Sequence, residues 1–536
     1  MKRHLIRIVG SGKRILCGIT FLLAVISGMI GRPITSEAVI APASYIIYKD
    51  GTTYYAQNGQ TGVNDYSGTD ASTVIQSAIN ALGTNGGKIF IKAGTYTLST
   101  SIIFQKNQTI VGEGVDVTIL KMGTVVTNKP IFKSYAWENS LSDYWMDNVE
   151  IGNMALDANS QPIDTSWFHN IRYSHIHDLK CINTYACGAV IGTFGSNLDQ
   201  NVLYRNLIEN IKVVGNITTN SDLMIVAGQI DSIIRNIELS GGGGSGLTMA
   251  ANLRTKFIDI VIHDQSGLAL SLEPAGNDRI SDVEFIRPLI YNSTQDGFGS
   301  THTLSYYSND ITIVDPIIYN VNRGIVAQLI NGLRIDGGLI HDNKSGSIFI
   351  NSCKDVKVNN VKIANTGVGN TVGFPYGLAI GVLSGSPPLT LSNIDIESPF
   401  IYQNKGASNT NLDGITIFNV PSGSNKIHNA VIYGMTNKNV KFEGTSFPAG
   451  FKWHRNIGFV TENSGTATIP NGSISVTVNH GLTITPGLDD ISVTPTNSLG
   501  NATKFWISNP TATQFTINVN TNPGATTAGF AWNIEY

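Results

Sequence analysis

Between residues 231 and 302 the sequence gathers groups able to move protons and to hold charge: Asp231, Arg254, Glu273, Asp278, Arg279, Asp282, Asp296 and His302. Breaking a polymer bond by elimination or hydrolysis needs an acid, a base and a charge-stabilising group in one place. Glu273 ends the apolar run Leu268-Ala269-Leu270-Ser271-Leu272, so strand alternation turns it outward. Arg254, Asp278, Arg279, Asp296 and His302 stand in adjoining segments and complete a candidate catalytic set around it. Taken singly, each also reads as a solvated turn charge. A second cluster, Trp167–Lys180 (WFHNIRYSHIHDLK), holds His169, Arg172, His175, His177 and Asp178. His175 and His177 alternate along a strand and share a face, which is compatible with a metal and, more simply, with a hydrogen-bonded surface pair.

These residues can meet only if short segments stack. Glycines at 246, 267, 297, 324, 346, 377 and 414 each open an apolar strand, at steps of 21, 30, 27, 22, 31 and 37 residues. Each unit carries an Asn or Asp, an alternating apolar strand, a polar turn, then Gly and a second strand. A strand-built repeat of this length is a solenoid. The Leu-x-x-Leu-x-Leu framework of leucine-rich repeats is missing, and the pattern predicts an all-β, right-handed parallel β-helix. Asn and Asp at its corners suit strained turns. Alternation then turns outward Thr248, Ala250, Ala269, Ser271, Glu273, Gly299, Thr301, Val326, Gln328, Phe349 and Asn351. An end coil would expose an unpaired strand edge and a section through the core. The one clear helix, about 70–82, answers that need. Asp70 or Thr69 caps it, Val74, Ile75, Ala78, Ile79 and Leu82 recur at helical spacing, and Gly83 follows. It is read as the N-terminal plug.

The order GTDASTVIQSAINA, then GGKIFIKAGTY, then GEG over Gly68–Gly114 resembles the entry segment of the pectate-lyase superfamily, in its rhamnogalacturonase/epimerase-like pectate lyase branch. The resemblance implies a carbohydrate-acting or carbohydrate-binding β-helix with its cleft on the strands that follow the repeat glycines, and it admits a calcium ion. The Asn-Thr-Asp, Asp-Asp, Gly-His-Gly and Arg-Ile-Lys motifs of polygalacturonases are absent from the repeats; Asp489-Asp490 lies beyond them. The Arg-rich signature of calcium pectate lyases is absent too.

Residues 1–43 read as a signal peptide or N-terminal anchor. Lys2, Arg3, Arg7, Lys13 and Arg14 precede the apolar stretch Ile15–Ile30, and processing is expected between about 31 and 43. The mature chain is thus expected outside the cytoplasm, without a membrane span. Losing residues 1–40, with six Lys/Arg and one Glu, takes the net charge from −3 to −8, which argues against a nucleic-acid partner. Cys181, Cys187 and Cys353 read as buried small hydrophobes with at most one bridge. Residues 44–457 are assigned to the β-helix. At 458 the composition breaks, and residues 458–536 alternate in short strands, predicting a small antiparallel β-sandwich. That stretch resembles β-domains of secreted polysaccharide-binding and phage-type tail proteins, and Trp506, Phe515, Phe530 and Trp532 are its candidates for stacking on sugars. Two functions remain: a secreted lyase or glycoside hydrolase acting on a polysaccharide, or a non-catalytic surface, adhesion or tail-spike-like rod. The oligomeric state stays open, a trimer included.

Overall fold

The computed structural model describes residues 43–124, 130–185, 187–192, 203–215, 222–274, 280–300, 307–369, 375–382, 391–405, 412–419, 424–443 and 451–535. Among them, 25 strands join in a broad sheet and 13 in a narrow one. A coil visits the narrow sheet once and the broad sheet twice, as in Phe298–Ser300, Ser308–Val314 and Ile317–Tyr319. Successive coils pair in parallel, making a parallel β-helix. Leu247, Leu270, Phe298, Ile325, Ile348, Leu378, Ile415 and Val440 form one inward row, at steps of 23, 28, 27, 23, 30, 37 and 25 residues. All are buried in the continuous core that runs along the coils.

The repeat glycines have a steric reason. A Cβ built on Gly297, Gly324, Gly377 or Gly414 would lie 2.5–2.7 Å from a carbonyl oxygen of the next coil. The corners have a conformational one. In the bend of the broad sheet Asn153, Asp178, Asn210, Asn236 and Asp259 stand in one column with φ of 48–57°. Their side chains link coils: Asn236 donates to Asn210, and Asn210 to Asp178, each at 3.1 Å. Left-handed backbone costs an L-residue about 1–2 kcal/mol, and Asn and Asp bear it best. A second column runs Asn148, Tyr173, Arg205, Asp231, Arg254, Asp282 and Asp310, with φ of 45–57°.

The N-terminal end is closed as the periodicity predicts. The helix Ala71–Leu82 buries Ala71, Val74, Ile75, Ala78 and Ile79 against the first coils. Asp70 is its cap, accepting from the amides of Ser72 at 3.4 Å and Thr73 at 3.2 Å. The same carboxylate accepts from the Ser99 amide at 3.3 Å, so it ties the plug to the strand region beneath. The helix does not close the end alone. An antiparallel meander, Tyr45–Asp50, Thr53–Asn58 and Asn64–Gly68, lies beside it, and Tyr45–Ile47 pairs in parallel with Ile89–Ile91.

From Glu462 onward the strands are antiparallel, in two three-stranded sheets. Ile469, Val478, Ile491, Phe515, Ile517, Phe530 and Ile534, drawn from both sheets, form one hydrophobic cluster. Three of the four aromatics considered for sugar stacking are therefore packed: Phe515, Phe530 and Trp532 are buried, and Trp506 remains 49% exposed. The three described cysteines are free and buried, which leaves no bridge among them.

Two stability predictions follow from the plug and the corner columns. Ile79→Asp places an unpaired charge in the core, at a cost of several kcal/mol; a thermal melt should show a large loss, and a wild-type melt would remove the plug from the account. Burial, then Asp282 and Asp355, raises the pKa of Asp310 above the ordinary carboxyl value. Its folded form therefore favours the proton, and stability present at acid pH is lost as pH rises through the raised value. Asp310→Asn should raise the melting temperature near neutral pH and leave it unchanged well below the carboxylate range.

Candidate functional site

The outward face of the narrow sheet is built in rows one coil apart. One row reads Thr248, Ser271, Gly299, Val326, Phe349, Ala379, Thr416 and Lys441. Val326, Phe349 and Ala379 leave the main core altogether and form a small apolar cluster with Tyr376 and Phe418. Glycines let the two rings lie down. A Cβ on Gly346 would meet Tyr376 Cε2 at 2.4 Å, and one on Gly381 would meet Phe418 Cδ2 at 2.5 Å. Each ring thus tips over the preceding coil towards Phe349, at ring-centroid distances of 6.0 Å for Tyr376 and 5.8 Å for Phe418.

Beside this apolar floor runs a polar row. Asp296 accepts from Arg323 Nε at 2.9 Å and Nη2 at 2.6 Å, and from Asn322 at 3.1 Å. Arg323 also engages the Tyr376 hydroxyl, whose pKa burial pushes up to about 12, so it stays a proton donor. Next in the row is Asp413, whose side chain is 1% exposed; burial raises its pKa against the opposing charge of Lys441, 3.7 Å away. On the other side of the floor stand Gln328 and Asn351. Val326, Phe349 and Ala379 are themselves buried, so the surface offered to a sugar face is that of the half-buried Tyr376 and Phe418 rings above them, flanked by donors and an arginine suited to carboxylates.

The sequence-predicted set does not converge here. Glu273 is half-buried on this face and accepts from Ser271 Oγ at 2.8 Å. Asp296 lies in register with Leu268, since Leu270 pairs with Phe298. Five residues of strand at about 3.3 Å each put it roughly 16 Å along from Glu273. Paired-carboxylate hydrolysis needs separations of about 5–9.5 Å, so these two are not such a pair. Arg254 belongs to the corner column and is held by Asp231 at 2.7 Å, with Asp282 next in the same column. Its left-handed corner position, not the cleft, is what its spacing encodes. Ala269, expected outward, precedes its strand at the turn and is buried in the core. Asp278, Arg279, His302 and Thr301 lie outside the described residues. The reading missed Arg323, Tyr376, Asp413 and Phe418; the glycines at 346 and 381, each vacating room for a ring, were the available signal.

The earlier coils add an aromatic corner. His169 stacks on Trp137 at 4.4 Å, near Trp167, whose Nε1 donates to Asp164 at 2.6 Å. Burial, then Lys133, lowers the pKa of His169 to about 3, and its Nδ1 has no hydrogen-bond partner. Among the described residues two groups bring three metal-ligand atoms together, Glu150 with His175 and His177, and His454 with Glu462 and Glu535. Neither group lies on the narrow sheet.

Residues 61–298 match the family described as rhamnogalacturonase A/epimerase, pectate lyase-like. That match spans the segment from the N-terminal meander to the coil of Phe298, and the chain as a whole is a parallel β-helix protein. Among curated proteins none matches it. Solved structures similar to this chain include the A-module of mannuronan C-5 epimerase AlgE4 from Azotobacter vinelandii, with 16% identity, 72% of this chain and 91% of that one covered, and a TM-score of 0.40. The Dettilon tailspike protein gp208 shares 11% identity over 87% of this chain and 91% of its own, at 0.49. A tailspike mutant of E. coli bacteriophage HK620 shares 13% over 87% and 90%, also at 0.49. At TM-scores below 0.5 these likenesses carry no functional weight.

The buried imidazole sets a pH dependence. The unfolded chain protonates His169 near the ordinary imidazole pKa, the folded one only near 3. Stability is therefore full above the unfolded value and falls with pH below it. His169→Leu should flatten the fall in melting temperature between about pH 6.5 and pH 4; an unchanged slope would show that His169 titrates normally.

Proposed function

We propose that this is an exported protein that holds an acidic polysaccharide along the outward face of the narrow sheet and processes it there. The observation that carries the reading is the apolar floor of Val326, Phe349 and Ala379, set apart from the core and flanked by Tyr376, Phe418 and Arg323. Sugar rings can present C–H faces to the half-buried rings of Tyr376 and Phe418 that this floor supports, and a uronate can share the Arg323 fork with Asp296. The family match, which names a rhamnogalacturonase, an epimerase and a pectate lyase, supports a glycan as the partner. Export rests on the basic and apolar segments within residues 1–43.

Glu273 is the proton-transfer group of this reading, because it is the carboxylate on the face that is half-exposed and free of an ion pair among the described contacts. Its distance of roughly 16 Å from Asp296, by strand rise, favours elimination or epimerisation over two-carboxylate hydrolysis. The same distance supports a second reading, in which the face binds the glycan and leaves it whole.

A panel of acidic and neutral polysaccharides separates these. Retention of a polyuronate, weakened at least tenfold in Phe418→Ala, about 1.4 kcal/mol, is the expected result. Retention unchanged by that substitution would displace the site. Unsaturated products from wild type that vanish with Glu273→Gln would establish elimination through Glu273; full activity in Glu273→Gln would transfer the role elsewhere.

A further inference from the structure

We propose that Glu150, His175, His177 and Glu209 form a binding site for a divalent transition-metal ion of the zinc class, on the broad sheet and apart from the glycan face. They come from three consecutive coils. Glu150 pairs in register with His175, and His177 with Glu209. Ligand atoms of Glu150, His175 and His177 all lie within 4.8 Å of one another. His177 Nε2 is 3.3 Å from Glu150 Oε1, and His175 Nε2 is 2.9 Å from Glu209 Oε1. A tetrahedral zinc ion with bonds of about 2.0–2.2 Å holds its ligand atoms roughly 3.3–3.6 Å apart. Glu150, His175 and His177 supply the three atoms already gathered, and Glu209, outside that group, joins it through His175 Nε2 at 2.9 Å.

The hydrogen bonding behind the cluster points the same way. His177 Nδ1 lies 2.7 Å from Asp178 Oδ2, an acceptor, so that nitrogen carries the proton. In the neutral ring Nε2 is then a lone pair facing a second acceptor, Glu150. His175 and His177 stack face to face at 4.1 Å, so their Nε2 atoms open on the same side. A cation between the ring nitrogens and the carboxylates satisfies every group. A carboxylate behind a ligating imidazole fixes its orientation and raises its basicity, as Asp178 would. Thr109 Oγ1 donates to Glu150 Oε2 at 3.0 Å, and Arg235 Nε to Glu209 Oε2 at 2.6 Å, which leaves the Oε1 atoms turned to the histidines.

The backbone makes room for the cluster. A Cβ on Gly152 would lie 2.6 Å from His177 Cε1, so the glycine of the preceding coil leaves the ring its place. His177 and Glu209 side chains are 8% and 12% exposed, His175 and Glu150 36% and 41%, giving a buried wall and an open side for an ion to enter. Two imidazoles with two carboxylates suit zinc and its neighbours in the first transition row rather than calcium or magnesium.

The test uses the full chain, freed of metal by a chelator and titrated with zinc chloride by calorimetry and by thermal melting. The expected result is one zinc ion bound at this site, a raised melting temperature, and visible d–d bands of tetrahedral geometry when cobalt(II) replaces zinc. Glu150→Gln and His175→Ala, both at half-exposed positions, should each weaken binding at least tenfold while keeping the wild-type circular dichroism spectrum. His454→Ala, in the other ligand group, should leave that binding as it is. No zinc uptake, unchanged affinity in Glu150→Gln and His175→Ala, or loss confined to His454→Ala would overturn the proposal.

Discussion

The constraint on which the rest depends is the parallel backbone pairing of one coil on the next. Strands about 4.8 Å apart must repeat the same bend at the same place in every coil, so each position along a coil becomes a column. Columns that face inward become the core. Columns at bends must accept a left-handed backbone, and Asn, Asp and Gly fill most of them. Columns where the chain turns into the narrow sheet leave no room for a side chain, and the periodic glycines stand there. Even the surface obeys the rule: His263, Tyr291, Tyr319 and His341 stack in sequence at 4.9, 5.2 and 4.9 Å.

Because columns repeat, chemistry requires breaking them. The outward row of the narrow sheet is small and neutral through the coils of Thr248, Ser271 and Gly299. It changes character where Gly346 and Gly381 let Tyr376 and Phe418 fold over their neighbours. On the broad sheet Glu150, His175, His177 and Glu209 stand in rows that later coils fill with Leu207, Ile233 and Lys256 in one and Arg235 and Ile258 in the other. Both departures rest on a glycine one coil away.

The parallel β-helix, the plug over 71–82 and the antiparallel C-terminal strands were legible in the sequence because each is written in periodicity, which packing enforces residue by residue. The Tyr45–Gly68 meander was overlooked although Asp50-Gly51 between strand-forming residues is a hairpin signal. The site was less legible. Glu273 was placed outward correctly by alternation, but Arg254, Asp231 and Asp282 were taken from the cleft side when their spacing encodes a corner column. Charge near charge in sequence does not distinguish a corner from a cleft; only the register of successive coils does. Arg323 and Tyr376 are separated by a whole coil, so no local pattern joins them. The ladder of His177, Asp178 and Glu150 was half visible, since alternation put His175 and His177 on one face but could not supply Glu150 and Glu209.

A crystal structure of the chain with an oligosaccharide of the polymer it retains tests the central claim most directly. The account predicts the sugar on the outward face of the narrow sheet, its rings over Tyr376 and Phe418 and an acidic group at Arg323. Sugar seated instead beside Trp506 on the C-terminal sheets, or along the broad sheet, would contradict it.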